Sequence, residues 1–261
     1  MRGLTIAVFA AACGSPPAPA EQCRPRDDMT PENARCVTTV RVHVEDDGAQ
    51  PLANLDVTVC GNICLYGTTD AHGDARVVID RFIAEPAVGL HGRATHTSYY
   101  QRFDGEGAVD VGTLVLHRWT GDAVPLASAR AGPIDLEIPK DADVVLDLTL
   151  VTPEEKLLRA RSIPLAEAPP FARVPGLASL VAIAPFGTSI APGARVTLAN
   201  DAHLAPGAAV DLFVHTTTFG DGPWAGFIRV ASAHVSADGA SIRSDDGQSI
   251  PELSWIGVVP K

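Results

Sequence analysis

The sequence predicts an all-β protein: two antiparallel, sandwich-like β-domains behind an N-terminal tether. Three observations carry this. Short apolar runs alternate with polar residues at a period of two, as in Val40, Val42 and Val44 against Arg41, His43 and Glu45, or Leu55, Val57 and Val59 against Asp56 and Thr58. Gly 23 and Pro 21 are spread through 261 residues, too densely for long helices. Asp-Gly pairs recur at 47–48, 104–105, 221–222, 238–239 and 246–247, where hairpin corners would fall.

Composition sets limits on function. At 46% hydrophobic and 20% charged residues, the chain can bury cores and is too apolar for intrinsic disorder. The net charge is −11 and no run of Lys or Arg occurs, so the electrostatic footprint of a nucleic-acid binder is missing and nucleic acid is not an expected partner.

Residues 1–12, MRGLTIAVFAAA, place Arg2 before an apolar stretch and small residues, the layout of a secretory signal peptide. Ala10, Ala11, Ala12 and Cys13 resemble the lipobox of bacterial lipoproteins, with Ala10 where Leu is usual. That resemblance implies that Cys13 is diacylated, becomes the new N-terminus and anchors the protein to a membrane; Gly14 after it implies the outer membrane. Cleavage at an A-x-A site by ordinary signal peptidase is the alternative. Five cysteines leave one unpaired in an oxidising compartment unless lipid consumes Cys13; Cys23, Cys36, Cys60 and Cys64 then remain for two disulfides. The local pairing, Cys23 with Cys36 and Cys60 with Cys64, is expected, with Cys36 bridging to Cys60 or Cys64 as the rival. Residues 14–20, GSPPAPA, read as an extended spacer, and residues 13–36 as a lipidated tether with a stapled lead-in in which 30–32 start one helical turn.

The first β-domain is expected over 37–118. Its strands run through 40–44, 55–59, 75–79, 88–95, 98–103 and 109–116, with turn residues at Asp46 to Gly48, Pro51, and Thr69, Asp70, His72, Gly73 and Asp74. Gly48, the stretch 51–59 and the Thr69, Asp70, Gly73, Ala75 turn resemble the carboxypeptidase regulatory-like domain, a small prealbumin-like sandwich. The resemblance implies a fold and no reaction. Residues 119–132 lack a period and hold Gly121, Pro125 and Gly132, which makes them a linker.

A second β-rich domain is expected over 133–261. Strands are predicted at 134–138, 144–150, 180–184, 195–198, 209–215, 225–235, 241–243 and 253–258, with a helical turn at 153–159. IAPGARVTL at 190–198 recurs as LAPGAAVDL at 204–212, a single turn-plus-strand duplication too short for a solenoid. Pro185, Phe186, Gly187, then Asn200, Pro206, Gly207, then Val235, Ser236, Asp238 and Gly239 resemble the C-terminal module of predicted Gram-negative surface lipoproteins. Leu136, Glu137, Ile138, Pro139 and Ala142 add a faint similarity to ZU5-type β-domains, with Lys140 and Asp141 where Gly is more usual.

No GxSxG, HExxH, P-loop or GxGxxG occurs, so the expectation is a protein without catalytic activity or cofactor. Asp70, His72 and Asp74, and Asp221, Asp238, Asp245 and Asp246, are metal-ligand types, but turn geometry explains them and no metal is expected. His91, His96, Tyr99, Tyr100, Phe103 and Trp119 form the densest ring cluster in a chain that is only 5% aromatic. They are either sandwich packing or a ligand face of the kind that suits a sugar. Trp224 and Trp255 read as core plugs of the second domain. The expected role is structural, adhesive or ligand-binding at the cell envelope, with a membrane held through the N-terminal lipid, and an envelope glycan or another surface protein as partner. A carbohydrate-binding module serving a separate enzyme is the alternative, and an enzyme with an unrecognised site is the third reading.

Overall fold

The computed structural model describes Cys23 and residues 30–217 and 224–261. Cys13 and the signal, spacer and Asp221 readings lie outside these residues. The described chain is all-β. Its first unit has seven strands: β1 (Arg35–Asp46), β2 (Asp56–Cys60), β3 (Cys64–Thr68), β4 (Asp74–Ile83), β5 (Ala87–His91), β6 (Tyr99–Arg102) and β7 (Gly107–Leu116). A three-stranded sheet in the order β4-β1-β7 faces a four-stranded sheet in the order β3-β2-β5-β6. The alternation read from the sequence is what builds the core: Val40, Val42 and Val44 point inward to meet Val57, Val59, Val77 and Leu90. β1 pairs antiparallel with β4 but parallel with β7, a pairing that requires the chain to cross through the other sheet first. Disulfides join Cys23 to Cys36 and Cys60 to Cys64, the second closing the β2-β3 hairpin.

Eleven further strands follow. They are β8 (Arg130–Ala131), β9 (Ile134–Glu137), β10 (Asp143–Val145), β11 (Arg159–Ser162), β12 (Ser179–Ala184), β13 (Thr188–Ala199), β14 (Ala209–His215), β15 (Phe227–Val235), β16 (Ser241–Ser244), β17 (Ile250–Leu253) and β18 (Trp255–Pro260). They form one sheet in the order β11-β12-β18-β14-β15-β16-β13-β9-β8, with β10 and β17 also pairing on β13. The sheet curls almost closed. Val124 and Leu158 exchange backbone hydrogen bonds of 3.0 and 2.8 Å across the gap, and a Cβ on Gly132 would sit 2.7 Å from the Ala160 carbonyl. Val181, Ile183, Val196, Leu198, Leu212, Val214, Ile256 and Val258 fill the interior.

Two strand expectations change here. Of 144–150, only its first residues are paired, in β10. Asp147 then accepts hydrogen bonds from the amide and hydroxyl of Thr149, at 2.7 and 2.6 Å, which turns the chain and leaves Leu148 97% exposed. The duplicated segments also part company. Pro192 and Gly193 of the first copy lie inside β13, which leaves β10 and β17 there to join β16 and β9, whereas the second copy is a turn leading into β14. The stretch 119–132 contains a helical turn at Leu126–Ser128 and β8, which pairs with β9. Among the described residues no helix is long and apolar enough to cross a membrane.

The two units share a buried seam. β12 is buried along its whole length because it has two apolar faces: Val181 and Ile183 point into the curled sheet, Leu180 and Ala182 toward the first sandwich. Trp255 was expected to plug the second unit. It is instead fully buried in the seam, edge-on to Tyr99 at 5.9 Å and Phe171 at 5.4 Å, and its indole N–H donates to the Ser98 carbonyl at 2.7 Å. Trp224 likewise leaves its own unit and packs on Cys60, Ala87 and Tyr100, donating to the Glu85 carbonyl at 3.0 Å. An indole buried at a seam finds both a hydrophobic slot and an acceptor, and the orphan carbonyls at the ends of β5 and β6 supply the acceptors.

Candidate functional site

The outer face of the four-stranded sheet would be polar and wet in an isolated sandwich. Strand register places two rows of side chains on it. Tyr66, Thr58, Gly89 and Tyr100 are consecutive partners across β3, β2, β5 and β6; Thr68, Asp56 and His91 form the next row. Gly89 is required there, because a Cβ would come within 2.3 Å of the Thr58 hydroxyl and 2.4 Å of the Tyr100 ring. Phe186 and Trp224 of the second unit cover the Tyr100 end of the first row, with ring centroids at 6.0 and 5.3 Å. The other end is left open. Between it and residues 149–155 lies a cavity of about 270 Å³, walled by Asp56, Thr58, Tyr66, His91, Arg93 and Trp119 from the first unit and by Leu150, Glu155 and Phe186 from the second.

Charge in the wall is organised around Arg93, which stands in the turn after β5 at a left-handed φ of 52°. It is ion-paired with Asp56 and reaches the Glu155 carboxylate at 3.2 Å. Glu155 is buried, and burial alone would push its carboxyl up. The amides of Thr152 and Val151, bonded to it at 2.7 and 2.9 Å, together with Arg93 outweigh that and hold it below the usual carboxylate range. Desolvation holds the His91 imidazole below its ordinary value, against the pull of Asp147 and Asp56, so it is neutral at pH 7. Trp119 brings a different feature: its indole N–H is buried and has no acceptor. Tyr66 stands at the mouth, 73% exposed, with its ring free for stacking.

Of the six ring residues singled out in the sequence, His91 and Trp119 reach this cavity. Tyr100 lies beside it, edge-on to His91 at 5.9 Å. Tyr99 is in the sandwich core with its hydroxyl donating to the Val115 carbonyl at 3.2 Å, His96 is buried against the Thr95 hydroxyl at 3.0 Å, and Phe103 packs on the core edge. Sequence reasoning missed Tyr66, Asp56, Arg93, Glu155 and Phe186. Tyr66 had a signal: an aromatic ring in a short run, CLYGT, bounded by a staple and a turn. The others are brought together only by the seam.

Among the described residues, the aspartates considered as metal ligands are occupied by backbone and partners. Asp70 accepts from the amides of His72 and Asp74 at 2.8 and 3.1 Å, which lowers its pKa, and Asp238 does the same with the Ser236 hydroxyl and the Ala240 amide. Asp245 pairs with His234 and Asp246 with Arg195. Among the described residues no three His, Cys, Asp or Glu side chains converge as a cation site would need.

No protein-family model matches the chain, and no curated protein does. Several solved structures show faint likeness, these three among them. A 9R-lipoxygenase from Cyanothece PCC8801 has 16% identity and a TM-score of 0.25 over 39% of this chain and 20% of its own. The Bacillus anthracis TIE protein has 9% identity and a TM-score of 0.28 over 86% of this chain and 48% of its own. A DUF3823 family protein from Parabacteroides merdae has 11% identity and a TM-score of 0.21 over 85% and 97%. The chain thus spans about a fifth of the lipoxygenase and about half of the TIE protein, and TM-scores this low assign neither fold nor function.

Proposed function

We propose that this protein is an exported, lipid-anchored, non-catalytic cell-envelope protein that binds a glycan in the seam cavity. The observation that carries the reading is the cavity itself: an exposed Tyr66 at its mouth, the Trp119 ring in its wall, and the hydroxyl-bearing Thr58, Thr68 and Ser98 around it. A sugar offers a flat apolar face for the rings and hydroxyls for the polar side chains around them. The carboxylates present support binding over catalysis, since Asp56 and Glu155 are both engaged by Arg93, and the Glu155 carboxyl is held low where a general acid's would be raised. A glycan array probed with the intact chain tests this. Retained signal on a subset of glycans, lost in Tyr66→Ala, is expected; a signal unchanged by that substitution contradicts the reading.

Two disulfides suit an oxidising compartment, and Cys13 behind a short apolar leader supports attachment by lipid, to the outer membrane by the Gly14 indication. Each buried methylene contributes about 0.8 kcal/mol, and more than one acyl chain passes the marginal single-chain case. The wild type should incorporate radiolabelled palmitate and stay with membranes through high-salt washing. The Cys13→Ser variant should do neither, and equal label in both would leave ordinary secretion.

A further inference from the structure

Among the described residues seven large apolar side chains stand exposed, and four of them, Val144, Val145, Leu148 and Val151, fall within one stretch of eight residues. Leu148 is almost wholly exposed and Val151 65% exposed. Between these two, Thr149 and Leu150 line the seam cavity, and a fifth of the seven, Tyr66, stands at its mouth. A loop with spare apolar side chains ordinarily folds them under. This one is held by hydrogen bonds at both ends. Asp147 accepts from Thr149, and the Leu150 amide donates to the Asp147 carbonyl at 3.1 Å. The Val151 and Thr152 amides donate to the Glu155 carboxylate, itself paired with Arg93. A preformed turn thus presents Leu148 and Val151 to solvent on either side of two cavity-lining residues, and binding there need not order it.

The cavity sets the chemistry of what covers them. Its charged lining residues satisfy one another, Asp56 and Glu155 against Arg93, and His91 is neutral, so an ionic ligand group finds no free partner. Trp119, Leu150, Ala184 and Phe186 supply apolar wall that continues toward the exposed turn. A bilayer is a poor occupant for that turn, because Asp143, Asp147 and Glu154 accompany it and the chain carries −11, which anionic headgroups repel.

Building on the glycan reading above, we propose that the ligand is an uncharged glycoside with an alkyl chain: the sugar occupies the cavity, and the chain leaves over Leu150 to cover Leu148 and Val151.

The test is calorimetric titration of the Cys13→Ser chain, which has no cysteine to carry an acyl group of its own at that position, with methyl β-glucoside and with octyl β-glucoside below its micellar concentration. Each methylene moved from water onto apolar surface gives up to about fourfold in affinity, so the octyl glycoside should bind about thirtyfold tighter or better. Leu148→Ser alters an exposed side chain and should fold normally; it should remove severalfold of that gain and leave methyl glucoside binding unchanged. Tyr66→Ala should weaken both glucosides. Equal affinity for the two, still weakened by Tyr66→Ala, would overturn the alkyl seat and leave the glycan site standing. An octyl ether of tetraethylene glycol, which has the chain and no sugar, should bind more weakly than octyl glucoside; equal binding that Tyr66→Ala does not affect would overturn the glycan reading and the proposal together. Octyl glucoside that fails to bind would overturn the proposal, the glycan reading being decided by the array. Dimerisation, or sedimentation with phosphatidylcholine vesicles, that Leu148→Ser abolishes while octyl glucoside binding persists would give the turn to a second copy or a bilayer, and would also overturn it.

Discussion

Replacing Trp255 by alanine is expected to cost about 3–5 kcal/mol of stability, the range for emptying a fully buried aromatic site. The indole is in the seam, so its removal opens a void between the units and strips Tyr99 and Phe171 of their edge contacts. It also leaves the Ser98 carbonyl, which accepts at 2.7 Å, without its donor. Trp255→Phe keeps much of the area and loses the hydrogen bond, so its loss should be intermediate. Urea unfolding measures both, and a Trp255→Ala loss below about 1 kcal/mol would mean that the seam does not depend on this contact. The neighbourhood explains why so large an effect is expected. His215 stacks on Phe171 at 4.0 Å, its Nε2 accepts from the Tyr100 amide at 3.1 Å and its Nδ1–H donates to Gly226, a closed arrangement in which burial holds the imidazole neutral with a pKa pushed down to about 3.

Glu252→Gln is expected to change the pH dependence of stability. Glu252 is 5% exposed, and its carboxylate accepts from the Thr217 amide and hydroxyl at 3.0 and 3.2 Å. Desolvation exceeds what those two donors return, so the pKa is pushed up to about 7 from 4.5. A carboxyl raised on folding favours the native state below its unfolded pKa, and that contribution is lost as pH rises from about 4.5 through about 7. The wild type should therefore weaken over this window by up to about 3 kcal/mol from this group, and the amide variant should not. Compared at pH near 4.5 and near 8, the stability difference should grow in favour of Glu252→Gln. Parallel profiles would show that the carboxyl stays ionised at little cost.

Much of the first sandwich is legible because its strands have one wet face and one dry face. Val40, Val42 and Val44, and Val57 and Val59, announce period two, and the Asp70 and Gly73 turn is written in residues whose side chains hold the backbone. β3 escapes notice because its inward positions are only Leu65 and Gly67, too weak a face to announce a period of two, while the exposed Tyr66 is the conspicuous side chain of CLYGT. The parallel pairing of β1 with β7 and the change of partners along β13 are tertiary facts that leave no local period. β12 shows the same limit in another form. Its unbroken SLVAIA run signals two buried faces, but nothing in the run says that the second face is the other unit. For the same reason the sequence places Trp224 and Trp255 in the second core, whereas both pack at the seam.

The cavity was half legible. His91 and Trp119 stood out as rings in a chain poor in them, while Asp56, Arg93 and Glu155 looked like ordinary surface charges. They become a site because β2, the turn after β5 and a helical turn of the second unit meet across the seam.

The most direct test of that site uses the indole N–H signals of the chain's three tryptophans in a proton–nitrogen NMR spectrum. Those of Trp255 and Trp224 donate to carbonyls, and that of Trp119 has no acceptor. Titration with a glycan retained on the array should shift the Trp119 signal, whose ring lines the cavity, while the other two hold their positions. A Trp119 signal unmoved at saturating glycan would contradict binding in the seam cavity.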